Sequence, residues 1–217
     1  MSDLTRTDVV KLIAVATYPL NLISVNLEGV DLSYLDLTNA VLTNAVLTNA
    51  KLNEAKLEGA DLTNADLTNA DLTNAVLTNA ELNKAKLEDA YLSGANLSGA
   101  NLNYANLTGA YLSKANLKRA NLTNADLKRA NLNYADLRFA KLEGANLSGA
   151  NLFGAKLMDA EGNSAELNAA KAYEEGALAA NMAKVEIEFK IYRAIFIIIC
   201  IVAIILLYQE YKLKGHF

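Results

Sequence analysis

Leucine recurs at every fifth position over most of this chain. The series runs from Leu22 to Leu157 without an exception and contains 28 leucines. From Ala40 to Ala160 an alanine follows the same period, two positions ahead of each leucine. The positions between them are mostly polar, as in Ala-Asp-Leu-Thr-Asn (60–64) and Ala-Asn-Leu-Ser-Gly (95–99). The repeating unit of the predicted fold is therefore five residues long and contributes one leucine and one alanine.

A period of five fits neither a helix nor a straight strand. Five residues advance an α-helix by roughly 500°, so the leucines would spiral around its axis. In a strand, side chains alternate between the two faces, and an odd period would turn successive leucines to opposite faces. Both conflicts disappear if the chain bends once per repeat, so that every leucine points to a common axis. The pattern therefore predicts a β-solenoid.

The start of the alanine column predicts the size of one coil. Four bulkier residues, Leu20, Val25, Val30 and Leu35, occupy the alanine positions before Ala40. A first coil has no neighbour below it, so larger side chains fit there. Four repeats then form one square coil of 20 residues, and about seven coils make a rod roughly 34 Å long at the usual strand spacing. The second residue after each leucine is mostly Asn or Gly, which suits the corners.

The repeat resembles that of the pentapeptide-repeat family, whose motif is Ala-(Asp/Asn)-Leu followed by two variable residues. The match spans residues 20–160. The resemblance implies a right-handed quadrilateral parallel β-helix. It also implies an origin in cyanobacteria or plastids for many members, and no enzymatic activity for most. A subgroup of the family imitates DNA and binds DNA gyrase.

Both ends of the rod are predicted to carry helices. Within residues 1–19 we expect a helix over 5–17, with Thr5 and Asp8 as a capping box and Pro19 as its stop. Its expected role is to cover the open edge of the first coil. The β-helix is assigned to 20–162, because the five-residue leucine repeat is interrupted at Gly162. A second helix, capped by Asn163 or Ser164, is expected over 163–190 as a cap, a spacer or both.

A strongly apolar segment follows. No charged or strongly polar side chain occurs between Ala194 and Leu207. Tyr192, Tyr208 and Tyr211 flank the segment like interfacial residues. We predict a single transmembrane span over 191–211, with a tail of 212–217, although a buried soluble helix is the competing interpretation. The residues expected to lie within the membrane span include Ala194, Ile195, Phe196, Ile199, Val202, Ile205 and Leu207.

Charge and composition exclude several classes of function. The 217 residues carry a net charge of −4, which does not favour nucleic acid as a partner. Cys200 and His216 are single and far apart, so no cysteine–histidine pair or metal-ligand set is visible. Asp61, Asp66 and Asp71 are expected to point outward from successive sides of one coil. We therefore predict no catalytic residues, no cofactor, no metal and no small-molecule substrate.

The outer surface provides the candidate site. Residues 20 apart should be neighbours in adjacent coils, which places Lys118 beside Arg138 and Arg119 beside Phe139. Lys114, Lys128 and Arg129 extend a basic belt to other sides, and an aromatic row is expected on one side. The alternatives are that the basic residues form an ordinary solvated surface and that the aromatic residues form a ladder that only stabilises the fold. The candidate partner-binding residues are Tyr91, Tyr111, Tyr134, Phe153, Lys118, Arg119, Arg129, Arg138 and Phe139.

Two functions are consistent with this sequence. The first is a non-enzymatic, tail-anchored scaffold or assembly factor that binds an integral membrane protein or complex. Its rod would lie on the cytoplasmic or stromal side, at the thylakoid in a photosynthetic organism. The alternative is a DNA-mimic regulator of DNA gyrase, but residues 21–160 hold 15 acidic and 12 basic residues, a weak imitation of a phosphate backbone. Homo-oligomerisation is left open, since the apolar segment lacks a Gly-xxx-Gly pattern.

Overall fold

The computed structural model describes residues 4–16 and 19–164, together with 167, 168, 170, 171 and 174. All of them belong to one compact unit, Met1–Glu174. It begins with a helix, α1, over Arg6–Val15. From Asn21 to Glu161 the chain forms a β-solenoid whose strands are single bridge positions, one per repeat. The predicted span over 191–211 and its flanks lie outside the described residues.

Each coil contains 20 residues. Parallel bridges join every fifth residue to the residue 20 positions later, from Asn21↔Val41 to Lys141↔Glu161. This spacing confirms four repeats per coil, as the alanine column predicted. We number the coils one to seven from Asn21, so that coil five begins at Asn101 and coil seven at Lys141.

Backbone hydrogen bonds between coils follow one rule along the rod. Each leucine amide from Leu22 to Leu142 donates to the carbonyl 19 residues later, one coil along, as Leu72 does to Tyr91 at 2.7 Å. From Asp61 onward, the residue before a leucine donates back to an alanine carbonyl of the previous coil, as Tyr91 does to Ala70 at 2.9 Å. Backbone polar groups next to the apolar interior are thus paired, which burial requires.

The interior is a column of leucine flanked by alanine. Leucines from Leu22 to Leu157 are buried, and alanines from Ala40 to Ala140 are almost fully shielded from solvent. In coil one, Leu20 is buried, and the three other bulky residues of that column are partly buried against the same core. Val9 of α1 belongs to this core and is fully buried, so α1 covers the first coil as predicted.

Every repeat ends in a turn with a left-handed residue. The alanine amide closes the turn on the leucine carbonyl, as Ala40 does on Leu37 at 3.0 Å. The second residue after the leucine has a φ between 53° and 71° in all repeats from Ser24 to Asp159, and the residue before it does not. A positive φ at the third of four positions is typical of a type II turn. The conformation is therefore retained even where the residue is Lys84 or Phe139.

Side chains from α1 close the open edge of coil one. Thr5 and Asp8 form the predicted capping box, although α1 ends at Val15, ahead of the expected boundary. Arg6 donates to the carbonyls of Asp31 at 2.7 Å and Ser33 at 3.0 Å. In later coils the equivalent carbonyls accept from the preceding coil, so Arg6 replaces donors that coil one lacks.

Residues after the break at Gly162 close the other edge. Ser164 accepts from the Leu167 amide at 3.1 Å, which identifies the helix cap, and Leu167 is fully buried in the core. Glu174 accepts from the amide of Leu157 at 2.9 Å, and Lys171 donates to the carbonyl of Ala160 at 2.5 Å. Both groups belong to coil seven, which has no successor to pair with them.

No helix among the described residues is long and apolar enough to cross a membrane. The apolar residues from Ala194 to Leu207, on which the prediction of a transmembrane span rests, lie outside the described residues.

The left-handed corners predict that reciprocal substitutions in two neighbouring coils change the stability in opposite directions. Lys84 and Asn64 occupy the same corner one coil apart, and both are exposed with a φ of 56°. Lys84→Asn should raise the free energy of unfolding by about 1 kcal/mol, because asparagine adopts this conformation with less strain than lysine. Asn64→Lys should lower it by a similar amount. Urea unfolding followed by circular dichroism measures both, and equal stabilities would contradict the argument.

Candidate interaction surface

The aspartates of coil three are structural residues. Asp61 is half-buried instead of pointing into water as expected, and it accepts hydrogen bonds from the Thr63 amide and the Thr43 hydroxyl, both at 2.9 Å. Burial raises the pKa of Asp61, but the hydrogen bonds from Thr63 and Thr43 outweigh it and hold the pKa below its ordinary value. Asp66 likewise accepts from its own turn and pairs with Lys86 at 3.2 Å. Carboxylates kept ionised in this way are poor general acids.

The described residues contain no group of three His, Cys, Asp or Glu side chains that could hold a metal ion. The partners of the coil-three carboxylates are turn amides, threonine hydroxyls and lysine. Nothing in this part of the chain points to catalysis, so its outer surface is the candidate site.

Tyr91 and Tyr111 form a tyrosine stack on one side of coils four and five. They are bridge partners, and their rings lie 5.0 Å apart with an interplanar angle of 5°. Both rings keep more than two fifths of their surface exposed. The next positions of this column are Asn131 and Asn151, so the stack ends after two rings.

Tyr134 and Phe153 form a separate pair, which we call the aromatic corner. Their ring centroids lie 5.6 Å apart and the rings meet edge to face at 85°. Tyr134 lies against Gly154, where an added Cβ would be 2.6 Å from the ring. The four aromatic residues therefore form two pairs instead of one continuous row, because Tyr134 and Phe153 belong to turns whereas Tyr91 and Tyr111 belong to a side.

Lys118, Arg119 and Phe139 meet at the next corner. The Lys118 Nζ lies 5.9 Å and the Arg119 Cζ 5.8 Å from the centre of the Phe139 ring. Both distances are within the range of cation–π interactions. Met158 occupies the same corner in coil seven and is 53% exposed. We call Lys118, Arg119, Arg138, Phe139 and Met158 the cationic corner.

Arg138 differs from the other two cations of this corner because it is neutralised within the chain. Its guanidinium donates to both carboxylate oxygens of Asp136, at 2.8 and 2.5 Å. The side-chain hydrogen bond from Arg138 holds the pKa of Asp136 below its ordinary value, against partial burial, which raises it. Within the described part of the chain, neither Lys118 nor Arg119 forms a salt bridge, so their charges are available to a partner.

Arg129 is not part of this corner. It follows another side of coil six, where its side chain lies next to Gly149. The tetrapeptide Leu-Lys-Arg-Ala occurs at both 117–120 and 127–130, but only the first copy has an aromatic ring beneath it. The expected basic belt is therefore a set of separate cations with one point of convergence.

The aromatic and cationic corners border the same side of the rod. In coil six this side runs from Tyr134 through Asp136 to Phe139, so an aromatic ring stands at each edge. Sequence reasoning named both rings but missed Met158 and the pairing of Arg138 with Asp136. The 20-residue register places Met158 beside Arg138 and Asp159 beside Phe139, whereas a rotamer that folds Arg138 back over its own side has no sequence signal.

Charge is distributed unevenly along the rod. Residues 21–80 contain eight acidic and two basic residues, whereas residues 111–160 contain four acidic and eight basic residues. The cationic corner thus lies on the basic half of an acidic chain.

Comparison with known proteins identifies the repeat. A family model described as Pentapeptide repeats matches residues 21–59, 55–94, 90–129 and 130–161 in eight copies. HetL, a pentapeptide repeat protein involved in heterocyst differentiation regulation in the cyanobacterium Nostoc sp. strain PCC 7120, is 31% identical over 72% of this chain and 96% of its own, with a TM-score of 0.25.

Two further solved structures are similar. A second Nostoc PCC 7120 pentapeptide repeat protein, alr5209, is 33% identical over 46% of this chain and 84% of its own, with a TM-score of 0.40. QnrB1, a plasmid-mediated fluoroquinolone resistance protein, is 17% identical over 75% of this chain and 86% of its own, with a TM-score of 0.47. Comparison with proteins of curated function gives no match.

The tyrosine stack should contribute to stability whether or not it binds a partner. Tyr91→Ser and Tyr111→Ser should each destabilise the rod, and a double-mutant cycle should give a coupling free energy of about 1 kcal/mol, typical of aromatic pairs. Chemical unfolding of the four proteins measures this coupling. Tyr91 with Tyr104, which lie on different sides, is the control pair, and equal coupling in both pairs would contradict the assignment.

The paired aspartates predict a loss of stability in acid. Because the pKa of Asp61 is lower in the folded chain than its ordinary value of 3.8, its contribution is present above that pH and is lost as the pH falls through the folded value. Asp66 and Asp136 add contributions of the same sign. The free energy of unfolding, measured in urea at a series of pH values, should fall below about pH 4. Asp61→Asn should flatten this fall, and an unchanged profile would refute the assignment.

Proposed function

The chain belongs to the pentapeptide-repeat family, and on that premise we propose that it is a non-enzymatic scaffold or assembly factor. In this proposal the outside of its β-helix binds a partner protein, and its C-terminal apolar segment tethers the rod to a membrane. Family membership gives residues 21–161 the right-handed winding of the pentapeptide-repeat solenoid.

One observation carries the binding role, namely the two corners that border one side of coils five to seven. They present four exposed apolar residues, Tyr134, Phe139, Phe153 and Met158, next to two cations without a salt-bridge partner among the described residues. Aromatic residues, methionine and arginine are enriched where proteins bind one another. Inter-coil hydrogen bonds hold the backbone beneath them, so little ordering entropy is lost on binding.

The proposal of a membrane tether rests on the amino-acid sequence. The residues from Ala194 to Leu207 are apolar on every side of a helix, and such a segment exposed to water would promote aggregation. We propose that this segment spans a bilayer as a tail anchor, with the rod on the cytoplasmic or stromal side. The partner is then an integral membrane protein or complex. In a photosynthetic organism, from which many family members come, the thylakoid is the proposed membrane.

The alternative, a DNA-mimic regulator of gyrase, is less consistent with the charge pattern. A mimic of a phosphate backbone needs negative charge along its whole length. The acidic half of this rod, residues 21–80, meets that need, but residues 111–160 carry twice as many basic as acidic residues. We therefore retain the scaffold as the proposed function.

Fractionation of the full-length protein tests the tether. The protein should stay in the membrane pellet after alkaline carbonate washing, which removes peripheral proteins. Ile199→Lys should release a large fraction, because a lysine near the centre of a span costs about 3 kcal/mol on the insertion scale.

The matched control places the same charge on the rod. Val76→Lys adds a lysine in the column where Lys56 already stands one coil earlier, and it should leave the protein in the pellet. Recovery of the unaltered protein in the soluble fraction would refute the tether.

A further inference from the structure

We infer that the cationic corner is a binding site for an acidic protein segment in which an apolar side chain lies beside its carboxylates. This inference rests on the proposed function of the surface and adds the chemistry of the partner. Carboxylates of the segment would pair with Lys118 and Arg119, and its apolar side chain would pack on Phe139 and Met158.

Two cations of the corner converge without forming a salt bridge among the described residues. Three other basic residues of the rod, Lys56, Lys86 and Arg138, pair with aspartates on the rod. Lys118 and Arg119 have no such partner within the described residues, yet both are held over one aromatic ring. Like charges that lie together repel one another, and an anion bound between them would relieve that repulsion.

Exposed apolar surface lies next to these charges. Phe139 remains 38% exposed although two cations lie over it, and Met158 is more exposed still. A free phosphate would use the cations and leave this surface in water. A protein segment with an apolar residue next to its carboxylates would use both, and methionine adapts readily to different apolar partners.

The distribution of charge along the rod favours a short partner. Coils one to three carry most of the acidic excess, and they lie beyond the salt-screening distance of about 8 Å from the cationic corner. A short segment on coils five to seven would be attracted to the cations and screened from those acids. Duplex DNA or an anionic membrane lying along the rod would meet the acidic coils directly, which disfavours both.

The chain contains its own matched control. Both Leu-Lys-Arg-Ala copies can be converted to Leu-Thr-Asn-Ala, the sequence found at 122–125. Lys118→Thr with Arg119→Asn removes the charges over Phe139, whereas Lys128→Thr with Arg129→Asn removes the same charges elsewhere. Asparagine is well suited to the positive φ at both corners, so the variants should fold.

Fluorescence anisotropy on the full-length protein in neutral detergent provides the readout. The probe is a short fluorescein-labelled peptide in which aspartate and glutamate alternate with phenylalanine. Replacing Lys118 and Arg119 should weaken binding about tenfold, from the loss of two ion pairs near an aromatic ring. Replacing Lys128 and Arg129 should change it less than about twofold. Phe139→Asn should also weaken binding, because it removes the apolar contact.

Competition decides the class of partner. The unlabelled peptide should displace the probe, and its version with asparagine and glutamine should not. The inference is overturned if the probe does not bind, if both double variants weaken it equally, or if duplex DNA or phosphatidylglycerol vesicles compete as well as the peptide. Membrane fractionation is independent of these results, so a failure of the tether and a failure of this site are separately visible.

Discussion

The width of the solenoid interior is the constraint on which the rest of this protein depends. Each repeat contributes one leucine to the axis and one alanine beside it, and backbone hydrogen bonds between coils set how closely these layers stack. A side chain larger than alanine fits only where a neighbouring coil is missing, as in coil one. There the extra volume packs against the same core as Val9 of α1. The core sequence is therefore nearly invariant, and all variation is confined to three outward positions per repeat.

The conformation of the turns is independent of the outward side chains that they carry. Because the turn is held by the alanine amide and the inter-coil bonds, it keeps a positive φ even with lysine, arginine or phenylalanine at its third position. Those residues are strained relative to asparagine or glycine. Strain at Arg119 and Phe139 is consistent with a use for these two side chains outside the core, which is the role that we propose for the cationic corner.

The first and last coils of such a fold each have an edge with backbone groups that no neighbouring coil pairs. Charged side chains bind some of these groups at both ends. Arg6 supplies donors to carbonyls of coil one, and Lys171 and Glu174 supply a donor and an acceptor to coil seven. These contacts leave less free backbone for an end-to-end association of rods. The sides remain available for binding, and the two corners of coils five to seven are the most suitable surface on them.

The bend in every repeat was predictable from sequence, because a strict period of five buries every leucine only if the chain turns once per repeat. The start of the alanine column gave the coil length and the four sides, the Asn and Gly positions gave the corners, and the spacing of Thr5 and Asp8 gave the capping box of α1. The same register placed Arg119 beside Phe139, as observed, and Lys118 beside Arg138, whereas the Lys118 Nζ lies over the Phe139 ring. It did not predict that Tyr91 and Tyr111 pair apart from Tyr134 and Phe153, that Arg138 turns to Asp136, or that Asp61 is half-buried. Those outcomes depend on side-chain rotamers and on whether a residue belongs to a side or a corner. A repeat period defines the position of each Cα, whereas only the packed structure decides which neighbour a long or ionised side chain reaches.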